Sequence, residues 1–193
     1  MQYLVTGVDA PSFGTEEDLD DAHQDYMDGW ADRLIARGPT LSADGERHTG
    51  SVHVVELPDL AAARRFAHDE PYATAGWYST VEVGPIVPCL DGTMWHRPAP
   101  AGSGIAAAVT SSCTGHDAAD LARTLRQHLG DVAGWIYVGV RCDEAGSATG
   151  VLALMDARPV DAPAQLATVL HRAGVAAASV EASRWQRGGR FAG

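Results

Sequence analysis

One order of apolar patterns occurs twice along this 193-residue chain, and the repetition restricts the folds that the chain can adopt. In each half, stretches where apolar residues alternate with polar or small ones, as in strands, flank stretches where they recur every three or four residues, as in helices. The order predicts two β-α-β-β-α-β units, each the split motif of a ferredoxin-like α+β fold. Because a four-stranded sheet with helices on one face leaves its other face uncovered, we expect the two sheets to pack together as a pseudo-dimer.

A stretch rich in proline and glycine separates the two units. It divides the chain into a first domain at 1–88, a linker at 89–104, a second domain at 105–186 and a tail at 187–193, which we expect to be mobile. Hydrophobic residues make up 46% of the chain and charged residues 20%. This composition is typical of a globular protein that can bury a core.

In the first half, an apolar run at 3–8 predicts a strand. Thr15-Glu-Glu-Asp18 has the form of a capping box, and the apolar stripe after it predicts a helix that runs to residue 37 and ends at Gly38-Pro39. Further patterns predict a strand at 51–57, a helix that opens at Pro58-Asp59 and ends before Pro71, and a strand at 77–87.

The second half repeats these signals. Thr114-Gly-His-Asp117 repeats the capping box ahead of an apolar helical stripe, and Pro163 marks the first turn of another helix. Strands are predicted at 105–111, 135–141, 149–157 and 175–185.

A histidine and a carboxylate in the first half are the candidate catalytic pair. His23 lies in the middle of the apolar stripe of the first helix and should face the protein interior. The second helix ends at Asp69-Glu70, directly before Pro71-Tyr72. An imidazole whose second nitrogen is held by a carboxylate is a better general base near neutral pH, so we expect His23 and Glu70 to act together.

The second half lacks both members of this pair. Eight residues after the threonine of each capping box, the first half has His23 and the second has Ala122. The segment 170–174 contains neither an acid nor a Pro-Tyr sequence. The pattern therefore predicts one active half and one supporting half.

Composition excludes several kinds of chemistry and partner. All 14 basic residues are arginine and there is no asparagine, so a Schiff-base lysine, a P-loop and a Cys-His-Asn triad cannot be built. Three widely spaced cysteines indicate reduced thiols in a cytoplasmic protein rather than a disulfide framework or a zinc site. The net charge of −11 argues against nucleic acid and anionic membranes as partners. We find neither a signal peptide nor an apolar run long enough to span a bilayer.

The first half resembles the YCII-related family. The motifs that carry the resemblance occur in the family's order over residues 1–88: His23, Gly38-Pro39, Asp44-Gly45, Gly50-Ser51, Glu70-Pro71-Tyr72 and Ala75-Gly76. The resemblance implies a dimeric α/β barrel, which two tandem units would form within one chain, with a further homodimer left open. It also implies a site that joins the helix histidine to the acid of an Asp-Pro-Tyr turn. Here Glu70 takes the acid position, and the arginine often found before the family histidine is replaced by acidic residues.

Other residues near these motifs are candidates for binding the substrate. They are Asp69, Tyr72, Ser51, Tyr26, Trp30 and Trp77. Ser51 and Tyr72 would donate hydrogen bonds to a carbonyl oxygen, and the aromatic residues would line a pocket or else form core.

The sequence and the resemblance together predict a cofactor-independent lyase or isomerase for a small, often aromatic metabolite. Related dimeric α/β-barrel families include muconolactone isomerases and aromatic polyketide cyclases. Two alternatives stay open: a non-catalytic small-molecule-binding or accessory protein, and a haem- or metal-dependent oxygenase. A metal site would need His23, His68 and Glu70 to converge, and no dinucleotide-binding motif is present.

Overall fold

A computed structural model describes residues 1–14, 19–97, 106–130, 133–176 and 179–189. The first half contains β1 (Gln2–Asp9), α1 (Leu19–Asp28), β2 (Leu34–Leu41), β3 (His48–Glu56), α2 (Leu60–His68), α3 (Pro71–Thr74) and β4 (Tyr78–Pro88). The second half contains β5 (Ala106–Ser112), α4 (Ala118–His128), β6 (Trp135–Cys142), β7 (Ala148–Met155), α5 (Ala162–Arg172) and β8 (Ser179–Trp185), and a short 3-10 helix at Met94–His96 precedes it. None of these helices is long and apolar enough to cross a bilayer.

The strands form a closed antiparallel barrel in the order β1-β3-β2-β8-β5-β7-β6-β4. Each half contributes one four-stranded sheet in the ferredoxin-like order, β4-β1-β3-β2 and β8-β5-β7-β6. Two seams close the barrel: β2 pairs with β8, and β4 pairs with β6. The seams pair edge strands that would otherwise expose unpaired backbone groups. The predicted tandem ferredoxin-like barrel is therefore confirmed.

Side chains alternate between two environments along each strand, as the period of a strand requires. Val52 and Val54 of β3 point into the barrel and pack with residues of both sheets. Val55 points the other way, into the core beneath α1 and α2. Ser51 and His53 share the face of Val55. These two polar side chains therefore lie between the sheet and the helices, outside the barrel interior.

The first helix is shorter than the sequence pattern predicts. α1 ends at Asp28, and Gly38-Pro39 lies inside β2 rather than at a helix end. The apolar pattern was misleading because Leu34, counted as part of the helical stripe, packs from β2 into the same core as Met27 of α1. The Thr15–Asp18 capping box lies outside the described residues.

Three further predictions need correction. Asp117, not Thr114, caps α4, and its carboxylate accepts the amides of Ala119 and Asp120. The four-residue α3 was not predicted. Residues 186–189 are not a free tail, because the Gly188 amide donates to the Arg37 carbonyl (2.8 Å) and the Gln186 amide donates to the Pro39 carbonyl.

The last described segment crosses β2 at Gly38, and this crossing requires glycine. A Cβ at Gly38 would lie 1.9 Å from the Gln186 carbonyl oxygen. Trp185 is buried and its indole N–H donates to the Gly38 carbonyl at 3.2 Å. The segment after β8 is thus held against the first half by backbone contacts.

We predict that Gly38→Ala lowers the free energy of unfolding by roughly 1–3 kcal/mol, because the backbone of residues 186–188 must move. Gly84→Ala is the matched strand control, since a Cβ there meets nothing within 4 Å. Urea unfolding at neutral pH measures both. Equal stability of the two variants would show that the crossing is not closely packed.

Candidate functional site

His23 and Glu70 come together as a buried pair although they are 47 residues apart in sequence. His23 Nδ1 forms a hydrogen bond with Glu70 Oε1, and the two residues are 8% and 3% exposed. Because a carboxylate only accepts hydrogen bonds, this contact favours the tautomer of His23 with a proton on Nδ1. In that tautomer, Nε2 is the nitrogen that can act as a general base.

The local backbone explains the position of Glu70. Residue 71 is proline, which disfavours a helical conformation at Glu70, and Glu70 is extended (φ −67°, ψ 137°). Its carboxylate caps α3 by accepting the amides of Tyr72 (3.1 Å) and Ala73 (3.0 Å). With the imidazole as a third donor, the carboxylate is fixed in orientation.

Aromatic stacking fixes the imidazole of His23. The Tyr72 ring lies parallel to it, with centroids 4.0 Å apart and an interplanar angle of 4°. Tyr72 is held in turn by its hydroxyl, which donates to Asp20 at 2.6 Å, and by Trp77, whose ring is 5.0 Å away. His23 is therefore held both at Nδ1 and over the face of its ring.

His23 of this pair lines a partly open cavity of about 140 Å³, and Glu70 lies behind it. The side chains that line it come from α1, β2, β3, α3 and β4, with two glycines from the segment after β8. They are His23, Gln24, Arg37, Pro39, His48, Ser51, His53, Tyr72 and Tyr78, together with Gly38, Gly188 and Gly189. The cavity thus combines several polar side chains with apolar ring and backbone surface, and it lies on the helix side of the first sheet.

A second histidine-carboxylate pair lies at the same cavity. His48 Nδ1 is 2.8 Å from Asp9 Oδ2, and the His48 ring stacks on Phe13 with centroids 4.1 Å apart. Burial raises the pKa of Asp9, while its hydrogen bond to His48 acts in the opposite direction. The cavity therefore has two imidazoles whose Nδ1 atoms are held by acids.

His53 is a third imidazole at the cavity, and it stays neutral. Burial lowers its pKa to about 3, and the neighbouring His23, Arg37 and His48 contribute in the same direction. His53 lies opposite Arg37 in the β2–β3 pair, and its ring centroid is 6.3 Å from that of His23. A neutral imidazole can both donate and accept a hydrogen bond.

Arg37 and Tyr78 line the cavity and have hydrogen-bond donors without an acceptor among the described residues. Arg37 Nε and Nη1 and the Tyr78 hydroxyl are buried, with no hydrogen-bond partner within the described part of the chain. Burial raises the pKa of Tyr78, the charge of Glu70 raises it further, and Ser51 acts in the opposite direction. Tyr78 therefore stays protonated and remains a donor. Its ring passes over Gly7, where a Cβ would lie 2.8 Å from it.

The structure brings together some of the predicted site residues and separates others. Ser51 and Tyr72 line the cavity with His23, and Trp77 lies behind Tyr72. The remaining predicted binding residues, Asp69, Tyr26 and Trp30, do not line it.

Each of these three residues has another structural position. Asp69 is exposed as the residue that ends α2. The Tyr26 hydroxyl donates to the Phe66 carbonyl at 3.1 Å, and Trp30 packs edge-on against the Phe66 ring. The expected substrate-binding role of Asp69, Tyr26 and Trp30 is therefore not supported by their positions.

The three residues of the possible metal site, His23, His68 and Glu70, do not converge. His68 is exposed at the end of α2, whereas Glu70 is buried. Over the ranges that the model describes, no three His, Cys, Asp or Glu side chains are grouped to hold a metal ion.

Sequence reasoning missed Arg37, His48 and His53. The predicted helix extended over Arg37, so its position on a strand face was not considered. His53 had a usable signal, because it follows Ser51 by two residues and must share its face. His48 pairs with a residue 39 positions away, which the sequence pattern does not indicate.

In the described part of the second half, an apolar residue takes the place of the candidate catalytic histidine. Ala122, the counterpart of His23, is buried in an apolar cluster with Leu121, Leu125 and Leu170. The C-terminal segment contributes to the cavity of the first half through Gly188 and Gly189, which line it.

A family model described as the YCII-related domain matches residues 1–87. No curated protein has a sequence that matches this chain.

Solved structures with TM-scores above 0.5 share the fold. A monooxygenase-like protein from Lactobacillus acidophilus NCFM is 8% identical, with a TM-score of 0.55 over 96% of this chain and 93% of that one. One from Fusobacterium nucleatum is 10% identical, with a TM-score of 0.55 over 96% and 92%. A 5-chloro-2-hydroxyhydroquinone dehydrochlorinase from Burkholderia phenoliruptrix AC1100 is 27% identical over 44% of this chain and 92% of its own, with a TM-score of 0.41.

The depressed pKa of His53 makes the stability depend on pH. The unfolded chain binds a proton at His53 below about pH 6.5, but the folded protein does not bind it until about pH 3. The unfolded state is therefore favoured as the pH falls through this range, by roughly 2 kcal/mol at pH 5 from this group.

We predict that His53→Gln reduces the loss of unfolding free energy between pH 7 and pH 5 by about that amount. Urea unfolding at the two pH values measures it. His171→Gln, at an exposed position, should keep the wild-type dependence. An unchanged dependence in His53→Gln would mean that His53 takes up its proton in the folded state.

Proposed function

We propose that residues 1–87, which match the model of the YCII-related domain, form a cofactor-independent lyase or isomerase that acts on a small metabolite. The observation that carries the proposal is the buried His23–Glu70 pair, whose histidine lines the cavity. A buried histidine oriented by a carboxylate at a cavity is a common arrangement for a general base.

The proposed reaction begins with proton abstraction. Nε2 of His23 takes a proton from a carbon next to a carbonyl group, and the C–H electrons move toward the carbonyl oxygen. Glu70 stabilises the imidazolium through Nδ1. The Tyr78 hydroxyl and Ser51, both at the cavity, are donors for the oxygen that gains charge.

A second proton transfer completes the reaction. Isomerisation returns a proton to another atom, and elimination gives one to a leaving group. His48, paired with Asp9, lines the same cavity and is the candidate for this step. Two separately oriented imidazoles allow proton removal and return at different points of the substrate.

The experiment uses small keto, hydroxy and lactone ring compounds in D₂O, with ¹H NMR to follow both turnover and deuterium incorporation. His23→Gln should lower the rate by about 10²- to 10⁴-fold, the usual contribution of a general base. Glu70→Gln should cause a smaller loss, because the amide oxygen that it introduces can still cap α3 but cannot hold an imidazolium as strongly.

The controls are His171→Gln and Glu144→Gln. His171 is exposed on α5, and the Glu144 side chain is 77% exposed. Both controls should keep the wild-type rate, and thermal melts should show that all four variants fold. Compounds that bind with neither turnover nor exchange would instead favour a non-catalytic binding protein. Full activity in His23→Gln would contradict the proposed base.

A further inference from the structure

We propose that the cavity selects a small ring compound with an ionised oxygen, a carboxylate or phenolate, and that the Arg37 guanidinium binds this oxygen. The inference concerns the same cavity as the proposed function and rests on it for the reaction, but the binding preference stands on Arg37 alone. Arg37 was not among the residues that the sequence indicated.

Arg37 is a buried cation that is only partly satisfied by the protein. Its side chain is 7% exposed. Nη2 donates to Asp28 Oδ1 at 3.0 Å and lies 3.5 Å from Gln24 Oε1, while Nε and Nη1 have no partner in the described ranges. Buried donors without acceptors are costly, so their retention at a cavity indicates a ligand acceptor.

Asp28 satisfies only one nitrogen of the Arg37 guanidinium, Nη2, and its own side chain is 41% exposed. Nε and Nη1 are left for another acceptor, since no described residue accepts from them. Burial is the main cause of the lowered pKa of His53, and the charge of Arg37, which lies opposite it in the sheet, contributes in the same direction.

The other acids around the cavity already have donors of their own. Glu70 accepts hydrogen bonds from His23 and from two amides of α3. Asp9 is paired with His48. An anionic ligand would therefore meet Arg37 rather than an unpaired carboxylate.

The segment after β8 covers Arg37. A Cβ at Gly189 would lie 3.2 Å from Arg37 Nη2, and Gly189 has a positive φ of 121°, which favours glycine. The absence of a side chain lets the backbone pack against the guanidinium and exclude water from it. The second half of the chain thus strengthens the electrostatic attraction of Arg37 for a ligand.

The size of the cavity and the rings that border it favour a cyclic ligand. Its volume of about 140 Å³ is close to that of an engineered apolar cavity, about 150 Å³, that binds benzene. The ring of Tyr72, which stacks on His23, and the Pro39 ring border it. The Tyr78 hydroxyl is a further donor for a substituent of the ring.

The test compares benzoate and 4-nitrophenolate with the neutral benzamide, by NMR titration of the full-length protein. The wild type should bind at least one of the anions more tightly than benzamide, by about 10- to 100-fold, as expected for hydrogen bonds to a charged group. Benzoate and 4-nitrophenolate distinguish a carboxylate site from a phenolate site.

Arg37→Met should remove this preference and leave the benzamide affinity within about twofold, because it keeps the apolar stem but lacks the charge. Arg37→Lys should keep part of the preference. Arg33→Gln is the control, since Arg33 is exposed in the turn before β2 and should behave as wild type.

A measurement on the wild type alone covers the case in which Arg37→Met does not fold. The Arg37 ¹⁵Nε–¹Hε resonance should shift on addition of the preferred anion and not of benzamide. Equal affinity for anions and benzamide, no binding of any probe, or a preference that survives in Arg37→Met would overturn the proposal.

The same titration separates this inference from the proposed function. His23→Gln should keep the preference for anions even though turnover is lost. If no turnover is found but the Arg37-dependent preference holds, the site binds an anionic ring compound without the proposed chemistry. If turnover is found without the preference, Arg37 does not select the substrate.

Discussion

The carboxylate of Glu70 is the contact on which the rest of the site depends. It joins the imidazole of α1 to the first amides of α3, two elements separated by two strands and a helix in the sequence. A four-residue helix has little stability of its own, so α3 needs its cap and its packing to persist. When α3 is in place, Tyr72 stacks on His23 and donates to Asp20, and the imidazole is fixed from two directions.

Barrel closure explains why the site lies where it does. The barrel interior holds apolar side chains from both sheets, such as Val54, Leu154 and Trp185, and a separate cavity of about 460 Å³ among inward-facing residues. The His23 site lies on the other face of the first sheet, under α1 and α3. The second half keeps the same architecture but fills the equivalent layer with apolar residues, and it contributes the backbone of residues 188–189 to the first site.

Much of the fold followed from the sequence because apolar periodicity is a local signal. The helices α2, α4 and α5 and most strands lie close to their predicted ranges, since their caps and stripes are encoded within a few residues. The prediction failed between Gly29 and Pro39, where a turn and a strand continue the apolar spacing of a helix. Leu34 fits either interpretation, because α1 and β2 pack into one core.

The site was harder to predict because its contacts are long-range. The sequence motifs placed His23 beside Glu70, but the partners of His48 and Arg37 depend on strand register. The register of β2 and β3 places Arg37 opposite His53. The sequence could not predict this pairing because Arg37 was assigned to the first helix rather than to a strand. The shortened α1 also explains why Tyr26 and Trp30 belong to the core rather than to the cavity.

The most direct test of the central claim is the protonation of His23 at neutral pH. In protein labelled with ¹⁵N-histidine, the account predicts that His23 is protonated at Nδ1 and unprotonated at Nε2, with a strongly deshielded Nδ1 proton that disappears in Glu70→Gln. A His23 protonated at Nε2 instead, or one whose signals match those of the exposed His171 and do not respond to Glu70→Gln, would contradict it.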